Sequence, residues 1–509
     1  MGKHKNILLM IADDMGKNMT CYGARNPHTP HLDRLAASGT RFDAAFTSTA
    51  SCSCSRSVIY TGLHTHENGQ WGLAYGKQHF QCFDHIESAP KLFNDAGYLT
   101  GIIGKVHVGP DHLFPWTVRQ ENNRNGEEAT SRDTALVADR ASAFFERARA
   151  EDVPFFLTIG YIDPHRHAWE RGGFGNREGY DPRIKDVKYD PNDVELPPWT
   201  TDVPEARREF AEFYRSINRL DQGVGLMLDA LKRNGFEDDT LVIFLSDNGP
   251  PFVNSKTTLY DAGVCLPLLI RAPGQEAGIA NPNLISYIDL LPTMLDWAGT
   301  STLPLSSPRK GRSMLPILTA GTTHPAWPHV FGSHTLHEIT NYWPTRFLRT
   351  HKFKYHRNLR PESPFSFASD LYVSYTWEGI RNSAGGDGDK ILLGKRKLRD
   401  YLYRPAEELY DLERDPDEVR NLAGQAAYAD VLIEMRKRLE VWQLETRDPF
   451  LLRDGVSLLA VKRYVEHGEK IDLPDRFDMP ADRPGNKGVR AVQWTDDGLG
   501  VSSGFWSSA

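Results

Sequence analysis

The sequence predicts an α/β protein with a large mixed, mostly parallel sheet sandwiched by helices, plus a smaller C-terminal α+β domain with an antiparallel sheet. Uninterrupted apolar runs alternate with helical patterns in the first half of the 509 residues, which is typical of strands buried on both faces. After about residue 325, polar and apolar residues alternate, as in half-exposed antiparallel strands. We expect a large domain over 1–325, the smaller domain over 326–450 and an extension over 451–509.

The elements follow from these patterns in chain order. Buried strands are expected at Asn6–Ala12, Leu99–Ile103, Pro154–Ile159, Thr240–Leu245 and Leu266–Arg271. Helices are expected over Leu32–Ser38, which ends at Gly39, and over Ala135–Ala150 by composition. A third is expected over about Glu205–Arg233, where apolar residues are spaced by three and four. In the smaller domain we expect strands at His351–Tyr355 and Glu407–Leu412 and a helix over about Ala426–Thr446. The extension is rich in Gly, Pro and Asp and is interpreted as a strap or a partly disordered tail.

Composition excludes several classes of protein. Hydrophobic residues make up 40% and charged residues 25%, and the formal net charge is −7, which excludes a strongly basic nucleic-acid binder. No apolar run approaches the roughly 20 residues that span a bilayer, and no signal peptide is evident. We therefore expect no nucleic-acid or membrane partner, and a cytoplasmic protein, or a secreted one if a leader was removed. Five cysteines without a CxxC pair indicate reduced thiols.

Acidic residues follow three of the predicted strands. The first strand ends in Asp13-Asp14, the third in Asp163-Pro164-His165-Arg166 and the fourth in Ser246-Asp247-Asn248-Gly249. Ligands bind beyond the carboxyl ends of the strands in open parallel sheets, and side chains that offer only oxygen suit a hard cation, Ca²⁺ or Mg²⁺. The oxygen donors are Asp13, Asp14, Asp247 and Asn248. The alternative is that these are turn and cap residues.

A second cluster, Ser51-Cys52-Ser53-Cys54-Ser55-Arg56-Ser57, precedes a short apolar stretch that ends at Gly62. This pattern predicts a loop that enters a helix, and a helix N-terminus with Arg56 one turn inside suits an anion. Cys52 would lie beside that anion with a lowered thiol pKa. The alternative is a capped helix with small packing cysteines.

A third cluster covers Gly101–Gly109. Lys105 and His107 alternate along an extended segment and so point to the same side. Together they could clamp an anion and relay a proton. The alternative is a solvated strand end.

In this order, the three clusters resemble the sulfatase branch of the alkaline phosphatase superfamily. Sulfatases carry a Cys-x-Pro-Ser-Arg motif whose cysteine is oxidised to formylglycine (3-oxoalanine), and this chain has Cys52-Ser53-Cys54-Ser55-Arg56 there. The chain is most similar to sulfamidase-like sulfatases, from about residue 5 to about residue 450. The matching stretches include Thr29–Leu35, Thr100–Lys105, Asp163–Arg166, Ser246–Gly249, His337–Thr340, Trp343–Arg346 and Trp442–Pro449. Because Cys54 replaces the usual proline or alanine, either the maturation enzyme tolerates it or Cys52 stays a thiol.

The resemblance implies roles for particular residues. The Ca²⁺ ligands (with Mg²⁺ as an alternative ion) would be Asp13, Asp14, residue 52, Asp247 and Asn248. The catalytic residues would be Cys52 as formylglycine, Arg56, Lys105, His107, His165 and Lys256, although the relatives have an arginine at the place of Lys256. The substrate face would include His337, Glu338 and Arg346. A formylglycine-generating enzyme is implied as the maturation partner, and a homodimer is expected from the relatives.

These features support several functions. The leading hypothesis is hydrolysis of a sulfate ester or sulfamate, on a small molecule or oligosaccharide with a sulfated sugar. The alternatives within the superfamily are an aryl or alkyl sulfatase and a phosphonate monoester or phosphodiester hydrolase. A hypothesis of another class is a catalytically silent protein that binds sulfated glycans with an unmodified Cys52.

Overall fold

A computed structural model describes residues 5–121, 132–167, 170–176, 181–300, 309–385 and 387–451, together with four single positions between 459 and 467. Its larger sheet has eight strands in the order β4-β3-β5-β1-β6-β7-β2-β8. The strands are β1 (Asn6–Ala12), β2 (Thr40–Phe46), β3 (Leu99–Gly104), β4 (Val118–Gln120), β5 (Phe155–Gly160), β6 (Thr240–Ser246), β7 (Cys265–Arg271) and β8 (Ile279–Ser286). Five neighbouring pairs are parallel, and in this sheet only β7 runs antiparallel to its two neighbours. The predicted mixed, mostly parallel sheet is confirmed.

Alternate side chains of β1 enter two separate hydrophobic cores. Ile7, Leu9 and Ile11 belong to one core, and Leu8 and Met10 belong to the other. Successive side chains of a strand point to opposite faces, so both faces of the central strand are apolar and both are covered. This explains why the β1 sequence is a continuous apolar run.

Helices cover both faces of this sheet. Side chains of α2 (Cys52–Thr61), α4 (Ala89–Asp95) and α8 (Leu290–Ala298) pack in the first core. Those of α1 (Pro30–Ala37), α5 (Thr134–Glu151) and α6 (Pro204–Arg233) pack in the second. The remaining helices are α3 (Thr65–Asn68), α7 (Asp261–Val264), α9 (Ser369–Tyr372), α10 (Tyr375–Asn382), α11 (Leu398–Leu402) and α12 (Ala429–Glu445). In the part of the chain described, none of the helices combines the length and apolar character needed to cross a membrane.

The second sheet is antiparallel, with the order β14-β11-β10-β9. Its strands are β9 (His329–His334), β10 (Thr345–Thr350), β11 (Phe353–Asn358) and β14 (Glu407–Asp411), and a two-stranded ribbon pairs β12 (Leu392–Leu393) with β13 (Arg396–Lys397). Leu348, Tyr355 and Leu409 of this sheet pack against Leu439 and Trp442 of α12. The predicted α+β character of this region is confirmed, whereas the exact domain limits stay a prediction.

Three strands of the large sheet, β2, β4 and β8, escape the sequence analysis, and each of them carries polar side chains. β2 carries the half-buried Arg41 and Asp43. β8 buries Asn281 and Asn283, and the Asn281 amide donates to the Ile317 carbonyl at 2.7 Å. β8 also contains a proline, which is tolerated because it is an edge strand. The extension predicted over 451–509 lies almost wholly outside the described residues.

Candidate active site at the carboxyl edge of the large sheet

A cavity of about 380 Å³ lies where β1, β3 and β5 end. Most of its lining side chains are charged or polar. They include Asp13, Cys52, Tyr75, Lys105, His107, Glu121, Arg132, His165, Arg166, His167, Lys256, His337, Glu338 and Asp370. The place agrees with the general rule that parallel sheets bind ligands beyond the carboxyl ends of their strands.

Sheet register brings the two acidic dipeptides together. Ala12 of β1 pairs with Ser246 of β6, so Asp13-Asp14 and Asp247-Asn248 leave the sheet side by side. The backbone N–H of Asp14 donates to the Asp247 carboxylate at 3.1 Å. The side-chain amide of Asn248 donates to the Asp14 carboxylate at 2.6 Å. All four side chains are fully buried. The convergence expected from the sequence is therefore present.

The chemistry of this cluster fits a hard cation. Asp13 Oδ1 and Asn248 Oδ1 are buried and have no hydrogen-bond partner among the described residues, and each such oxygen is costly unless something binds it. Burial and the neighbouring Asp13 carboxylate raise the pKa of Asp247 to about 7, as expected where carboxylates crowd together. Ligand atoms of Asp13, Asp14 and His165 also lie within 4.8 Å of one another. This adds His165 to the candidate ligands.

Cys52 lies at the first position of α2, next to the N-cap residue Ser51. The helix ends at Gly62, whose φ of 66° is left-handed, as the sequence predicts. All ten residues of the helix are buried, and Cys52 is only 2% exposed. Burial raises the pKa of the Cys52 thiol to about 12, and the Lys105 ammonium offsets only part of that effect. The expectation of a lowered thiol pKa is wrong, because desolvation outweighs the nearby positive charges.

Arg56, one turn into α2, joins the helix to the acidic cluster. Its Nε donates to Asp247 Oδ2 at 2.9 Å and its Nη1 donates to the Lys105 carbonyl at 3.2 Å. Its Nη2 lies 3.9 Å from Asp13 Oδ1. Although burial lowers the pKa of an arginine, Asp247 and Asp13 raise the Arg56 pKa above its ordinary value. Arg56 is thus a fixed cation that orients two carboxylates.

Two glycines place Lys105. A Cβ on Gly104, whose φ is 94°, would lie 2.2 Å from the Gly160 carbonyl oxygen, and a Cβ on Gly160 would lie 2.1 Å from the Lys105 carbonyl oxygen. The close approach lets the Lys105 amide donate to Gly160 at 2.7 Å as β3 ends. The Lys105 ammonium donates to Asp13. No other residue type fits at either glycine position without moving the backbone.

His107 lines the same cavity as Lys105, as expected, although the segment after Gly104 is not the extended strand from which this was predicted. Its φ is 56°, a region that residues with a Cβ seldom adopt, and its ring stacks on Tyr75 with 5.5 Å between centroids. Burial and the Lys105 charge lower the pKa of His107 well below its ordinary value. Its Nδ1 is buried without a partner in the described residues, so the imidazole is neutral and has a nitrogen available to exchange a proton.

Lys256 and His165 also line the cavity. Lys256 Nζ lies 2.7 Å from Asp14 Oδ2, 2.9 Å from Asp370 Oδ2 and 3.4 Å from His165 Nε2. His165 Nδ1 lies 2.7 Å from the Arg166 carbonyl. That carbonyl only accepts, so Nδ1 carries the proton and Nε2 is an acceptor in the neutral ring. Burial and Lys256 lower the pKa of His165.

The structure brings two of the three expected substrate-face residues to the cavity. His337 lines it with its Nδ1 2.8 Å from the Ser51 hydroxyl, and Glu338 lines it half-buried. Arg346 is not among the lining residues. Its guanidinium is fully buried and donates to Asp448 at 2.6 and 2.8 Å, so the expectation that Arg346 faces the substrate is not met. The reason is that Asp448, in the segment after α12, binds the guanidinium of Arg346 on β10.

Sequence reasoning missed Asp370, which contacts Lys256 from the smaller domain's side of the cavity. No local pattern marks it, because it lies on the four-residue helix α9 far from every cluster noted in the sequence. Conversely, Asp163 follows β5 as predicted but accepts from Arg132 and Arg219 at 2.6 to 2.8 Å. Asp163 therefore supports the wall of the site instead of lining it.

Comparisons with known proteins identify similar sequences. The family model described as Sulfatase matches residues 5–300. Human N-sulphoglucosamine sulphohydrolase is 39% identical over 477 residues, covering 89% of this chain and 92% of that protein. An ulvan-active sulfatase of Formosa agariphila is 27% identical, covering 92% of this chain and 85% of its own.

Two solved structures share the fold at lower identity. One is BT4656 in complex with its substrate D-glucosamine-2-N,6-O-disulfate, with a TM-score of 0.62 and 22% identity over 88% of this chain and 99% of that one. The other is the phosphonate monoester hydrolase of Agrobacterium radiobacter, with a TM-score of 0.62 and 20% identity over 87% of this chain and 96% of that one. At these identities the likeness establishes the fold alone.

Proposed function

The chain belongs to the sulfatase family of hydrolases, and from that premise we propose that it hydrolyses a sulfate ester or sulfamate of a sulfated sugar. The observation that carries the proposal is the meeting of residue 52, three cationic side chains and two histidines around buried carboxylate and amide oxygens that have no hydrogen-bond partner among the described residues. The sugar is inferred from the human relative, which is named for N-sulphoglucosamine. A sugar substrate is therefore proposed for this chain from the name of its relative.

We propose that Asp13, Asp14, Asp247 and Asn248, with residue 52, hold Ca²⁺, and that Mg²⁺ is the alternative. The buried oxygens that have no hydrogen-bond partner among the described residues and the crowded carboxylates support this set. His165 is also within reach of the cluster, but we assign its Nε2 to proton transfer. A formylglycine formed from Cys52 would supply the hydrated nucleophile, and the bound cation would lower its pKa and screen the sulfate charge.

The remaining roles follow from positions of this chain's own side chains. Lys105 and Lys256 both line the cavity with Cys52 and would bind sulfate oxygens as negative charge develops. Arg56 orients Asp247 and the end of β3. His107, neutral and with a free Nδ1 in the described structure, would accept a proton. His165 would deliver one to the leaving group once its Nε2 is protonated.

The chemical state of residue 52 tests the proposal directly. Mass spectrometry of the peptide that contains Cys52 is expected to show the aldehyde or its hydrate instead of the thiol. The matched control is Cys54→Ala, two residues along the same buried helix, which restores the small residue usual in the family motif. An unmodified thiol in protein that was coexpressed with a formylglycine-generating enzyme would favour the silent glycan-binding hypothesis.

A second candidate reaction is hydrolysis of a phosphonate monoester or phosphodiester. The shared fold with the Agrobacterium radiobacter phosphonate monoester hydrolase favours keeping it. Relative kcat/KM values for glucosamine N-sulfate, p-nitrophenyl sulfate and a p-nitrophenyl phosphodiester separate the candidates. We expect the order glucosamine N-sulfate, then aryl sulfate, then phosphodiester; preference for the phosphodiester would overturn the proposal.

A further inference from the structure

We infer that Asp370 determines specificity by accepting a hydrogen bond from an O–H or N–H group of the substrate that neighbours the sulfated atom. The inference rests on the proposed function, because it takes a sulfated sugar as the occupant of the cavity. Neither a sequence motif nor the acidic cluster at the end of β1 includes this residue.

The first observation is the environment of the Asp370 carboxylate. It lines the cavity that also exposes Cys52 and Lys256. Its Oδ2 accepts from Lys256 Nζ at 2.9 Å, whereas its Oδ1 is buried and has no partner among the described residues. An ionised carboxylate only accepts hydrogen bonds, and a buried acceptor without a donor costs free energy. The free oxygen therefore fits a donor on a ligand.

The second observation concerns charge. A sulfate group offers acceptors and negative charge, so a carboxylate beside it would repel it, whereas Lys105 and Lys256 attract it. An acid in the same cavity matches a different part of the substrate, one that carries donors. Sugar hydroxyl and amino groups are such donors. Lys256 contacts both Asp14 and Asp370, at 2.7 and 2.9 Å. Since Lys256 is proposed to bind a sulfate oxygen, a substrate donor that reaches Asp370 would lie on the group next to the sulfated atom.

The third observation is the rigidity of the segment that carries Asp370. The Ser369 amide donates to Glu338 at 3.0 Å before it. After it, the Tyr375 amide and the Thr376 hydroxyl donate to Glu209 at 2.9 and 2.6 Å. Glu209 in turn pairs with Arg166 of the cavity wall through two contacts of 2.9 Å. A carboxylate fixed before the ligand arrives loses little conformational entropy on binding.

The competing explanation is that Asp370 only positions Lys256. The two explanations differ in how the loss depends on the substrate. We propose measuring kcat/KM of wild type and Asp370→Asn for glucosamine N-sulfate and for p-nitrophenyl sulfate, which has no vicinal donor. We expect a loss of about 10- to 100-fold on the sugar, mainly through KM, from one charge-assisted hydrogen bond. On the aryl sulfate we expect less than about a threefold change.

An equal loss on both substrates through kcat, or no loss on either, would overturn the inference. The matched control is Asp387→Asn, the same substitution at an exposed carboxylate outside the cavity lining, which should leave both substrates unchanged. Thermal melting of Asp370→Asn shows whether its fold is retained.

Calorimetric binding of glucosamine N-sulfate separates this inference from the proposed reaction. In a Cys52→Ala background, adding Asp370→Asn should weaken binding at least about tenfold, and a deoxy analogue that lacks the recognised hydroxyl should abolish that difference. Wild type that cleaves neither substrate would contradict the proposed function, while the calorimetry would still test Asp370. Wild type that binds and cleaves the sugar, together with an Asp370→Asn variant that binds it equally well, would overturn only the Asp370 inference.

Discussion

The cavity at the edge of the large sheet and the Arg346–Asp448 pair of the smaller domain both contain buried charged groups. They differ in how completely the oxygens of those groups are hydrogen-bonded. Asp448 accepts from Arg346 twice, from Gln443 at 2.8 Å and from the Phe450 amide at 3.0 Å. In the cavity, oxygens of Asp13, Asn248 and Asp370 are left without partners in the described structure.

This difference separates structural from ligand-binding charges. Buried polar groups in proteins are nearly always paired, so a fully paired ion pair needs no ligand to explain it. A group of buried acceptors without donors at one cavity does need one. Both regions contain an arginine and an aspartate from distant parts of the chain, so residue type alone does not distinguish them.

The comparison is tested most strongly by Cys52→Ala. If the cavity is the reaction centre, turnover should fall at least about 10³-fold, because nucleophile deletions remove most of the catalysis. The melting temperature should stay close to wild type, since one buried sulfur is lost. Steady-state assays with glucosamine N-sulfate measure the effect, and Cys54→Ala, equally buried, should retain turnover. Residual activity of more than a few per cent in Cys52→Ala would remove residue 52 as the nucleophile.

The structural side of the comparison is tested by Arg346→Met. We expect a decrease of about 3–5 kcal/mol in the free energy of unfolding, because Asp448 would remain buried without its charge partner. Urea unfolding measures this, and Arg346→Met combined with Asp448→Leu should recover much of the loss. KM should be unchanged in the folded variant. A large rise in KM at unchanged stability would restore the expectation that Arg346 contacts the substrate.

Metal removal should affect the cavity and not the Arg346–Asp448 pair. Ca²⁺ at 100 times its Kd should stabilise metal-depleted wild type by about 2.7 kcal/mol. Asp247→Asn should lose this response and the bound metal, as measured by thermal melting and elemental analysis. The matched buried aspartate variant, Asp448→Asn, should be less stable yet keep the full response to Ca²⁺. Unchanged Ca²⁺ content in Asp247→Asn would exclude Asp247 from the ligands.

The smallest expected effect is a pH dependence of stability beside the Arg346–Asp448 pair. Burial lowers the pKa of His66 from 6.5 to about 4, while Asp448 opposes the shift and Arg346 adds to it. The unfolded chain therefore binds a proton between pH 6.5 and 4 that the folded chain does not. Its contribution to stability is present above pH 6.5 and is lost as the pH falls towards 4.

Between pH 7 and 5.5 this amounts to about 1 kcal/mol. Urea unfolding at both pH values measures it, and His66→Gln should flatten the dependence by that amount. An identical slope in wild type and His66→Gln would show that the pKa of His66 is not lowered by folding.

Much of the large sheet could be predicted because its central strands are unambiguous. Asn6–Ala12 is a continuous apolar run and is a strand with those limits, and Thr240–Leu245 is extended by one residue. β2 and β8 were missed because buried polar side chains, such as Asn281, are satisfied by partners that are remote in sequence. The large-domain residues named for catalysis and metal binding do converge. The metal-binding candidates Asp13, Asp14, Asp247 and Asn248 adjoin strand ends, where direction along the sheet fixes their position, whereas Cys52 and Arg56 lie on α2.

From its sequence alone, the chain specified a sulfatase fold, the segment that enters α2 and the acidic dipeptides that end two strands, since these depend on local periodicity and short motifs. Only the tertiary structure pairs Arg346 with Asp448 and places Asp370 beside Lys256. It also raises the pKa of the Cys52 thiol, where the sequence predicted a lowered one. The physical reason is that pairing, desolvation and charge balance depend on which side chains share a buried space. Sequence spacing does not encode that information.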